Sequence, residues 1–338
     1  MPKITREEVR VPADVMPEAR DEYITNYLKA TRETGRLMLF ACDQKIEHLN
    51  KDFYGEGIDI ADLDPEHLFK IGSEGVCGVL AGQRGLVAQY AADYPEINYL
   101  IKMNSKTNLV GTKQEDPYSP QLYDLDAVLA MKEAGVNIVG LGYTIYLGSE
   151  YEATMMAEAG ELIAQAHANG LIVVLWIYPR GKAVTAEKDP DLIAGAAGVA
   201  LCLGADFVKV NPPKPEDGRT PAEALKVAST AAGRTGLVCA GGSTVDAETF
   251  LTQLYDQIHV GGADGNATGR NIHQRSLDEA VRLTKGHLRH HLGRLGRRRR
   301  PGRVQRREGL HPGRHLVRSR SLLAASRPER PPTSRSIP

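Results

Sequence analysis

Short apolar runs alternate with longer helical patterns along most of the chain. Eight runs have the length and residue types of buried β-strands: 37–43, 76–80, 98–103, 136–142, 171–178, 205–211, 237–241 and 258–263. Helical patterns lie at 16–35, 124–134, 150–169, 190–203, 221–233, 246–257 and 276–285. Gly135, Gly170, Gly204 and Gly236 fall between a helical pattern and the next run, where a left-handed helix cap is expected.

This alternation predicts the fold class. Eight strand–helix units in about 250 residues are typical of a (β/α)8 barrel. An open, doubly wound sheet is the alternative, but it would normally carry Gly-x-Gly-x-x-Gly after an early strand, and this chain has none. We therefore predict an α/β protein: a (β/α)8 TIM barrel over 36–285, preceded by an N-terminal helical extension over 1–35 and followed by a disordered basic tail over 286–338.

Charge is distributed unevenly along the chain, although 42 basic and 42 acidic residues balance. From Gly286 onward there are 15 Arg, no Lys and 2 acidic residues, so the rest of the chain has 27 basic and 40 acidic residues. An acidic body argues against general affinity for nucleic acid. The tail is either a disordered basic segment for acidic partners or an unselected sequence, such as a GC-rich gene read out of frame. Its Arg, Pro, Gly and His content favours the second interpretation.

Cysteine usage and hydropathy indicate the compartment. The four cysteines stand singly in apolar stretches without a Cys-x-x-Cys pair, which predicts small buried side chains in a reducing environment. No apolar run approaches the roughly 20 residues that span a bilayer, and the polar N-terminus has no signal-peptide core. We expect a cytoplasmic protein with no membrane partner.

Two adjacent runs carry polar residues that a buried strand does not need. Lys209 is the only cation of the run 205–211, and Tyr178 closes the run 171–178. Side chains alternate between the two faces of a strand, so Trp176 and Tyr178 share a face. Consecutive strands of a barrel are neighbours, and the active site lies at their carboxyl ends. An amine and a phenol are therefore expected to meet inside the barrel.

That pairing favours imine chemistry. A lysine amine with an ordinary pKa is only about 0.04% neutral at pH 7, so a nucleophilic lysine needs a pKa lowered by roughly three units. Burial in an apolar wall supplies this shift. Tyr178 or a carboxylate such as Asp43 is expected to transfer the substrate proton. The alternatives are that Lys209 extends to solvent and that Asp43 only caps the following loop.

Two glycine-rich stretches have the residue types of phosphate loops. Residues 240–244 follow the seventh run, and residues 261–271 follow the eighth. Glycine lets backbone N–H groups approach an anion, and each stretch leads into a helical pattern. Ser243 adds a hydroxyl group and Arg270 a bidentate cation. The alternative is that the glycines only form turns. Glu47 and His48 have no second histidine at ligand spacing, so we predict neither a metal nor another cofactor.

Four motifs together resemble the archaeal-type class I fructose-bisphosphate aldolases over about 30–285. The motifs are Trp-Ile-Tyr-Pro-Arg-Gly (176–181), Gly-Ala-Asp-Phe-Val-Lys-Val-Asn (204–211), Ala-Gly-Gly-Ser (240–243) and Asn-Ala-Thr-Gly-Arg-Asn (266–271). The resemblance implies a metal-independent, imine-forming barrel that assembles into homo-oligomers, often decamers.

The resemblance also implies a role for individual residues. Lys209 would form the Schiff base, Tyr178 would be the general acid and base, and Asp43 and Trp176 would line the substrate site. One phosphate group would be held by Gly242, Ser243, Gly269 and Arg270. Arg180 would serve the other end of a phosphosugar substrate.

The chain departs from the family pattern in two places. The familiar first-strand motif is Asp-His-Gly-Ile-Glu-His, and Gln44 and Lys45 replace its His-Gly pair here. The Arg-rich sequence from about Gly286 stands where ordinary helical sequence is expected, which leaves closure of the barrel and subunit contacts open.

The leading functional hypothesis is reversible cleavage of fructose 1,6-bisphosphate into dihydroxyacetone phosphate and glyceraldehyde 3-phosphate. The first alternative is a related imine enzyme on another phosphorylated keto compound, such as an amino-dideoxy-heptulosonate synthase or a thiolase-like transferase. Two further alternatives are a non-catalytic phosphosugar-binding protein and nucleic-acid binding through the tail.

Overall fold

Eight parallel strands close into a barrel in the computed structural model, which describes residues 3–48, 50–109 and 115–292. The strands are β1 (Leu37–Ala41), β2 (Val79–Gln83), β3 (Tyr99–Lys102), β4 (Ile138–Leu147), β5 (Ile172–Pro179), β6 (Phe207–Val210), β7 (Gly236–Ala240) and β8 (Gly265–Thr268). Each strand pairs with the next in sequence, and β8 pairs with β1 in parallel. The predicted (β/α)8 barrel is therefore confirmed.

Helices lie between the strands and at both ends of the described chain. They are α1 (Arg20–Thr31), α2 (Gln44–Glu47), α3 (Asn50–Phe53), α4 (Glu66–Glu74), α5 (Arg84–Tyr90), α6 (Leu125–Glu133), α7 (Glu152–Ala168), α8 (Pro190–Leu203), α9 (Pro221–Ala231), α10 (Ala247–His259), α11 (Arg270–His273) and α12 (Leu277–Leu292). Short 3-10 turns occupy Arg6–Glu8, Pro17–Ala19 and Ile60–Leu63. No helix of this described part is long and apolar enough to cross a membrane.

The sequence carries clear start and stop signals for several helices. The side chain of Asp189 accepts hydrogen bonds from the first-turn amides of α8, which ends at Gly204 in a left-handed conformation. Thr220 and Glu223 form a reciprocal capping box at the start of α9. Gly236 was expected to be such a stop but is the first residue of β7, and the left-handed glycine before it is Gly233, with φ of 60°.

The prediction of the eighth strand was wrong. Residues 258–263 form the end of α10 and a loop, and β8 begins at Gly265. The true strand reads Gly-Asn-Ala-Thr, without the large β-branched or aromatic residues that mark a strand. Gly265 has φ of 152°, and an added Cβ would lie 1.9 Å from the carbonyl oxygen of Leu37 on β1. Only glycine fits this contact, so β8 cannot display the usual pattern. The second run is also displaced, from 76–80 to Val79–Gln83.

The N-terminal extension packs against the barrel interior. Tyr23 and the preceding Val9 and Val15 belong to the same buried cluster as the inward-facing residues of the strands. On α1, Tyr27 stacks on Phe207 of β6 with ring centroids 5.8 Å apart. Because Phe207 begins its strand, α1 covers the amino ends of the strands and keeps water from the interior there.

The predicted division of the chain into segments 1–35, 36–285 and 286–338 remains a prediction. Helix α12 continues past Lys285 to Leu292. The rest of the predicted tail, 293–338, lies outside the described residues, and so does any nucleic-acid binding through it. Cys42 and Cys239 are buried as expected, but Cys202 is exposed because it lies on the outer surface of α8.

A buried polar network joins the N-terminal extension to the barrel. The His167 ring lies 2.8 Å from Asp14 through Nδ1 and 3.2 Å from Asp206 through Nε2. The hydroxyl of Tyr23 donates to the other oxygen of Asp206, and the amide of Val173 donates to Asp206 at 2.7 Å. Burial favours the neutral ring, but hydrogen bonds and charges from the two carboxylates outweigh it and raise the pKa of His167 to about 9.

This network predicts a pH-dependent contribution to stability. The pKa of His167 is higher in the folded chain than its ordinary 6.5, so its contribution is complete below pH 6.5 and is lost as the pH rises through about 9. The shift corresponds to about 3 kcal/mol. The free energies of unfolding of wild type and His167→Gln can be compared by urea unfolding. The difference between them should narrow as the pH rises from 6.5 through about 9. Asp14→Asn should begin to lose stability at lower pH than wild type. A difference that stays constant with pH would contradict this account.

Candidate active site

Lys209 points into the barrel. It pairs in register with Trp176 of β5, and its Nζ lies 5.2 Å from the centroid of the Trp176 ring. Only 5% of the residue is exposed. The alternative that the lysine extends to solvent is therefore wrong.

The surroundings of Lys209 favour a neutral amine. Burial is the main cause that lowers its pKa, and the positive charges of Lys102 and Arg270 act in the same direction. The carboxylates of Asp43 and Glu47 oppose this shift without reversing it. A lysine in such a place has a larger fraction of the nucleophilic free base at neutral pH.

Tyr178 lies on the same face of β5 as Trp176, nearer the carboxyl end. It is half-buried, and its ring centroid lies 6.5 Å from that of Tyr146 on β4. Burial raises the pKa of the Tyr178 phenol, the negative charges of Asp43 and Glu47 raise it further, and Arg180 opposes them. The phenol is therefore protonated at neutral pH and can act as a proton donor.

Asp43 follows β1 and is buried. It stands at the N-cap position of α2, but its side chain makes no capping hydrogen bond, so the expected alternative role is wrong. Among the described residues its Oδ1 is buried without a hydrogen-bond partner. Its charge acts on both Lys209 and Tyr178. A carboxylate oxygen is thus available beside the amine and the phenol.

The Trp176 side chain, on β5, forms the part of the barrel wall against which Lys209 packs. The residue is almost fully buried, and an added Cβ on Gly142 of β4 would lie 2.6 Å from its ring. The missing side chain at position 142 thus makes room for the indole. Arg180, just beyond β5, makes a bidentate ion pair with Glu187 at 2.9 and 3.0 Å, and its guanidinium lies 5.7 Å from the Tyr146 ring centroid.

The loop after β7 is exposed at the mouth of the barrel. Gly242 has φ of 70°, a left-handed conformation that favours glycine, and Ser243 is exposed beside it. The loop leads into α10, but Asp246 already caps the first turn of that helix by accepting from the amide of Thr249. An anion at this loop would therefore be bound by the backbone amides of the loop itself, around Gly242 and Ser243, rather than by the amino terminus of α10.

Only part of the second predicted phosphate loop, 261–271, lies at the carboxyl ends of the strands. Residues 261–264 precede β8 and lie at its amino end, so their assignment to the site was wrong. Gly269 and Arg270 follow β8 and lie at the mouth. An added Cβ on Gly269 would lie 2.7 Å from the backbone carbonyl oxygen of Ala41, so glycine is required there. Nη1 of Arg270 lies 3.7 Å from Asp52, and its Nε is buried without a hydrogen-bond partner among the described residues.

The two residues that depart from the family motif have their own contacts. Oε1 of Gln44 lies 3.3 Å from Nε2 of His273, whose Nδ1 lies 2.7 Å from Asp62. The ammonium of Lys45 lies 4.2 Å from the centroid of the Phe53 ring. Gln44 therefore connects the segment after β1 to α11, and Lys45 connects it to α3.

Sequence reasoning missed two residues near the site, Lys102 and Asn271, and considered a third, Glu47, only as a metal ligand. Lys102 is a lone cation that ends an apolar run, which is the signal that identified Lys209, yet it was not singled out. Glu47 is half-buried, and burial together with Asp43 raises its pKa while Lys102 opposes the shift. Asn271 has no signal in the sequence, because its role depends on contacts made after folding.

Asn271 connects the two loops at the mouth. It is buried, and its Nδ2 donates to the carbonyl oxygens of Gly241 at 2.9 Å and Ser243 at 3.0 Å. Its Oδ1 accepts from the amide of Val245 at 2.9 Å. One side chain therefore fixes the loop after β7 relative to Arg270. Within the described ranges no group of three or more His, Cys, Asp or Glu residues could hold a metal ion.

A closed barrel with a buried, easily deprotonated lysine beside a phenol and a carboxylate has the features of an imine-forming enzyme. Comparisons with known proteins agree. A model of the DeoC/LacD aldolase family matches residues 37–275. A Methanocaldococcus jannaschii protein described as fructose-bisphosphate aldolase/6-deoxy-5-ketofructose 1-phosphate synthase is 56% identical over 283 residues, covering 83% of this chain and 89% of its own.

Solved structures give the same answer. A fructose-bisphosphate aldolase from Slackia heliotrinireducens shares 76% identity with a TM-score of 0.84, covering 86% of this chain and 92% of that one. An archaeal fructose-1,6-bisphosphate aldolase with its catalytic lysine bound to a carbinolamine intermediate shares 27% identity with a TM-score of 0.66, covering 78% and 98%. The chain belongs to the DeoC/LacD aldolase family, as an aldolase of the archaeal class I type, a carbon–carbon lyase. This excludes the alternative of a non-catalytic binding protein.

The role of Asn271 can be tested without substrate. Asn271→Ala removes three hydrogen bonds and leaves two part-buried carbonyl oxygens without their donor, so amides 242–246 should exchange with solvent deuterium on the order of ten-fold faster. Asn169→Ala is the matched control, because Asn169 is exposed and bonds only within its own helix end, to Gln165. Unchanged exchange in the Asn271 variant would show that the loop holds its shape by other means.

Proposed function

We propose that this enzyme cleaves fructose 1,6-bisphosphate reversibly into dihydroxyacetone phosphate and glyceraldehyde 3-phosphate through an imine at Lys209. The observation that carries the proposal is the buried Lys209 amine, held against Trp176 with its pKa lowered, in the same mouth as Tyr178 and Asp43. The activities named for the relatives support fructose 1,6-bisphosphate as the substrate.

The neutral amine of Lys209 attacks the C2 carbonyl, and loss of water with uptake of one solvent proton, which the final hydrolysis returns, gives a protonated imine. The C3–C4 bond then breaks: its electron pair moves toward the imine nitrogen, and the C4 hydroxyl loses its proton to Asp43 as C4 becomes the aldehyde of glyceraldehyde 3-phosphate. Tyr178 gives its proton to C3 of the enamine and recovers one from Asp43. Hydrolysis of the imine releases dihydroxyacetone phosphate and the amine. The net transfer is one proton from oxygen to carbon.

The phosphate groups are assigned to opposite sides of the mouth. Gly242 and Ser243, with Gly269 and Arg270, hold the phosphate next to the reacting ketone. Arg180 serves the distal phosphate. Lys106, which follows β3, supports this placement. Burial lowers the pKa of its half-buried ammonium most, Glu47 opposes that shift, and Arg180 is close enough to lower the pKa further. The ammonium donates to Asn108 at 2.7 Å. Two mutually repelling cations are a favourable place for an anion.

A second candidate activity rests on the Methanocaldococcus jannaschii relative, whose name includes 6-deoxy-5-ketofructose 1-phosphate synthase. That product has a single phosphate, which the loops after β7 and β8 suffice to bind. The same imine chemistry would form it. Assays of cleavage of the bisphosphate and of synthesis of the 6-deoxy product, on one preparation, would give the ratio of the two activities. Assembly into a homo-oligomer, with a decamer as the expected form, remains a prediction.

Trapping of the imine tests the nucleophile. Borohydride reduction in the presence of dihydroxyacetone phosphate should give a stable adduct on the peptide that contains Lys209, as measured by mass spectrometry. Lys209→Ala should abolish the adduct. Adduct formation that persists in this variant, for example at Lys102, would place the nucleophile elsewhere.

The proton-transfer role of Tyr178 makes a separate prediction. Tyr178→Phe should still give the trapped adduct, because the amine is intact, while kcat for bisphosphate cleavage falls on the order of 10²-fold or more. Tyr146→Phe is the matched control, since it removes a neighbouring buried phenol and should cost little. Full activity in Tyr178→Phe would exclude this tyrosine from proton transfer.

A further inference from the structure

Arg180 continues the line of side chains that carries the proposed chemistry. Its amide donates to the carbonyl oxygen of Leu147 at 2.8 Å, so the pairing of β5 with β4 extends beyond Pro179. Alternate residues of an extended strand share a face, so Arg180 follows Trp176 and Tyr178 toward the mouth. At about 3.3 Å per residue, its backbone stands about 13 Å beyond that of Trp176.

The guanidinium of Arg180 is bound along one edge only. Nε donates to Oε1 of Glu187 at 2.9 Å, and Nη2 donates to Oε2 at 3.0 Å. The N–H groups of a guanidinium lie in one plane. The ion pair therefore occupies the edge formed by Nε and Nη2 and leaves the edge formed by Nη1 and Nη2. That second edge has parallel donors, an arrangement that matches two oxygens of one phosphate group.

Glu187 is itself anchored in its loop. The carbonyl oxygen of the next residue, Lys188, accepts from the amide of Lys214 at 2.7 Å. Asp189, one position further, caps the first turn of α8. On its other side the guanidinium lies 5.7 Å from the centroid of the Tyr146 ring. The arginine is thus held between a fixed carboxylate and a buried aromatic ring.

We propose that Glu187 is a positioning residue that fixes Arg180 for the distal phosphate and thereby makes the site prefer a bisphosphate to a monophosphate. This inference rests on the proposed function, in which Arg180 serves that phosphate. Glu187 acts through Arg180 and does not touch the substrate. An unpaired arginine samples many rotamers, and a ligand that binds it must order the side chain. The ion pair orders it before the substrate arrives.

The negative charge of Glu187 has an opposing effect, because it repels phosphate. The two side chains of the pair are 40% and 42% exposed, so water and salt screen this repulsion. The carboxylate also lies on the edge of the guanidinium that does not face the phosphate. Lys106 adds a positive charge near Arg180, so the place keeps a net attraction for an anion while the ion pair is intact. Positioning is therefore the larger effect.

The test compares two substrates that differ in the distal phosphate. Fructose 1-phosphate keeps the phosphate next to the ketone and lacks the other one. In Glu187→Gln the KM for fructose 1,6-bisphosphate should rise about five- to ten-fold, because the bidentate pair is lost, with kcat within about two-fold. The KM for fructose 1-phosphate, or its inhibition constant if turnover is too slow, should not change. In an Arg180→Met background the same substitution should have no further effect.

Asp217→Asn is the matched control. Asp217 pairs with Arg219 in the neighbouring loop, with Nη2 at 2.6 Å, and these side chains are 40% and 53% exposed. Removing this carboxylate should leave the constants for both substrates unchanged.

Three outcomes would overturn the role of Glu187. A lower bisphosphate KM in Glu187→Gln would show that the carboxylate competes with phosphate. An equal rise for both substrates would indicate a structural role alone, and so would an equal effect of Asp217→Asn. Unchanged constants in Glu187→Gln would refute only this inference, whereas absence of bisphosphate cleavage by wild type would refute the proposed function itself.

Discussion

The proposed chemistry depends on lowering the pKa of one amine inside a protein wall. Lowering the pKa of a lysine by about three units corresponds to about 4 kcal/mol against its charged form. A closed barrel supplies the necessary exclusion of water, because Lys209 faces the interior and Trp176 covers it. Closure of the amino ends by α1, through the stacking of Tyr27 on Phe207, extends this dry interior along the same strand that carries Lys209.

The two ends of the barrel have different tasks. At the amino ends, the buried network of His167, Asp206 and Tyr23 joins the N-terminal extension to the strands and contributes stability. At the carboxyl ends, polar groups are left without partners in the described structure, including Oδ1 of Asp43 and Nε of Arg270. Unpaired buried polar atoms are costly, so their concentration at one end indicates a place prepared for a ligand.

Much of the fold and part of the site could be predicted from the sequence because they depend on alternation and local signals. The run ending in Tyr178 and the run containing Lys209 show which side chains share a face. Strand β8 could not be found, since Gly265 is chosen for its contact with β1 and the strand lacks bulky residues. Asn271 was equally hidden, because its three hydrogen bonds reach a loop that is distant in sequence. Lys102 could have been found, since it repeats the signal of Lys209.

The charges around Lys209 suit both stages of the proposed imine reaction. Before attack the amine must be neutral, which burial, Lys102 and Arg270 favour. After attack the nitrogen becomes part of a cationic imine, which Asp43 and Glu47 favour. A site with only cations would form the imine reluctantly, and a site with only carboxylates would hold the lysine protonated. Substrate phosphate on Arg270 would offset one of the cations on binding, shifting the balance toward the charged intermediate at the moment when it forms.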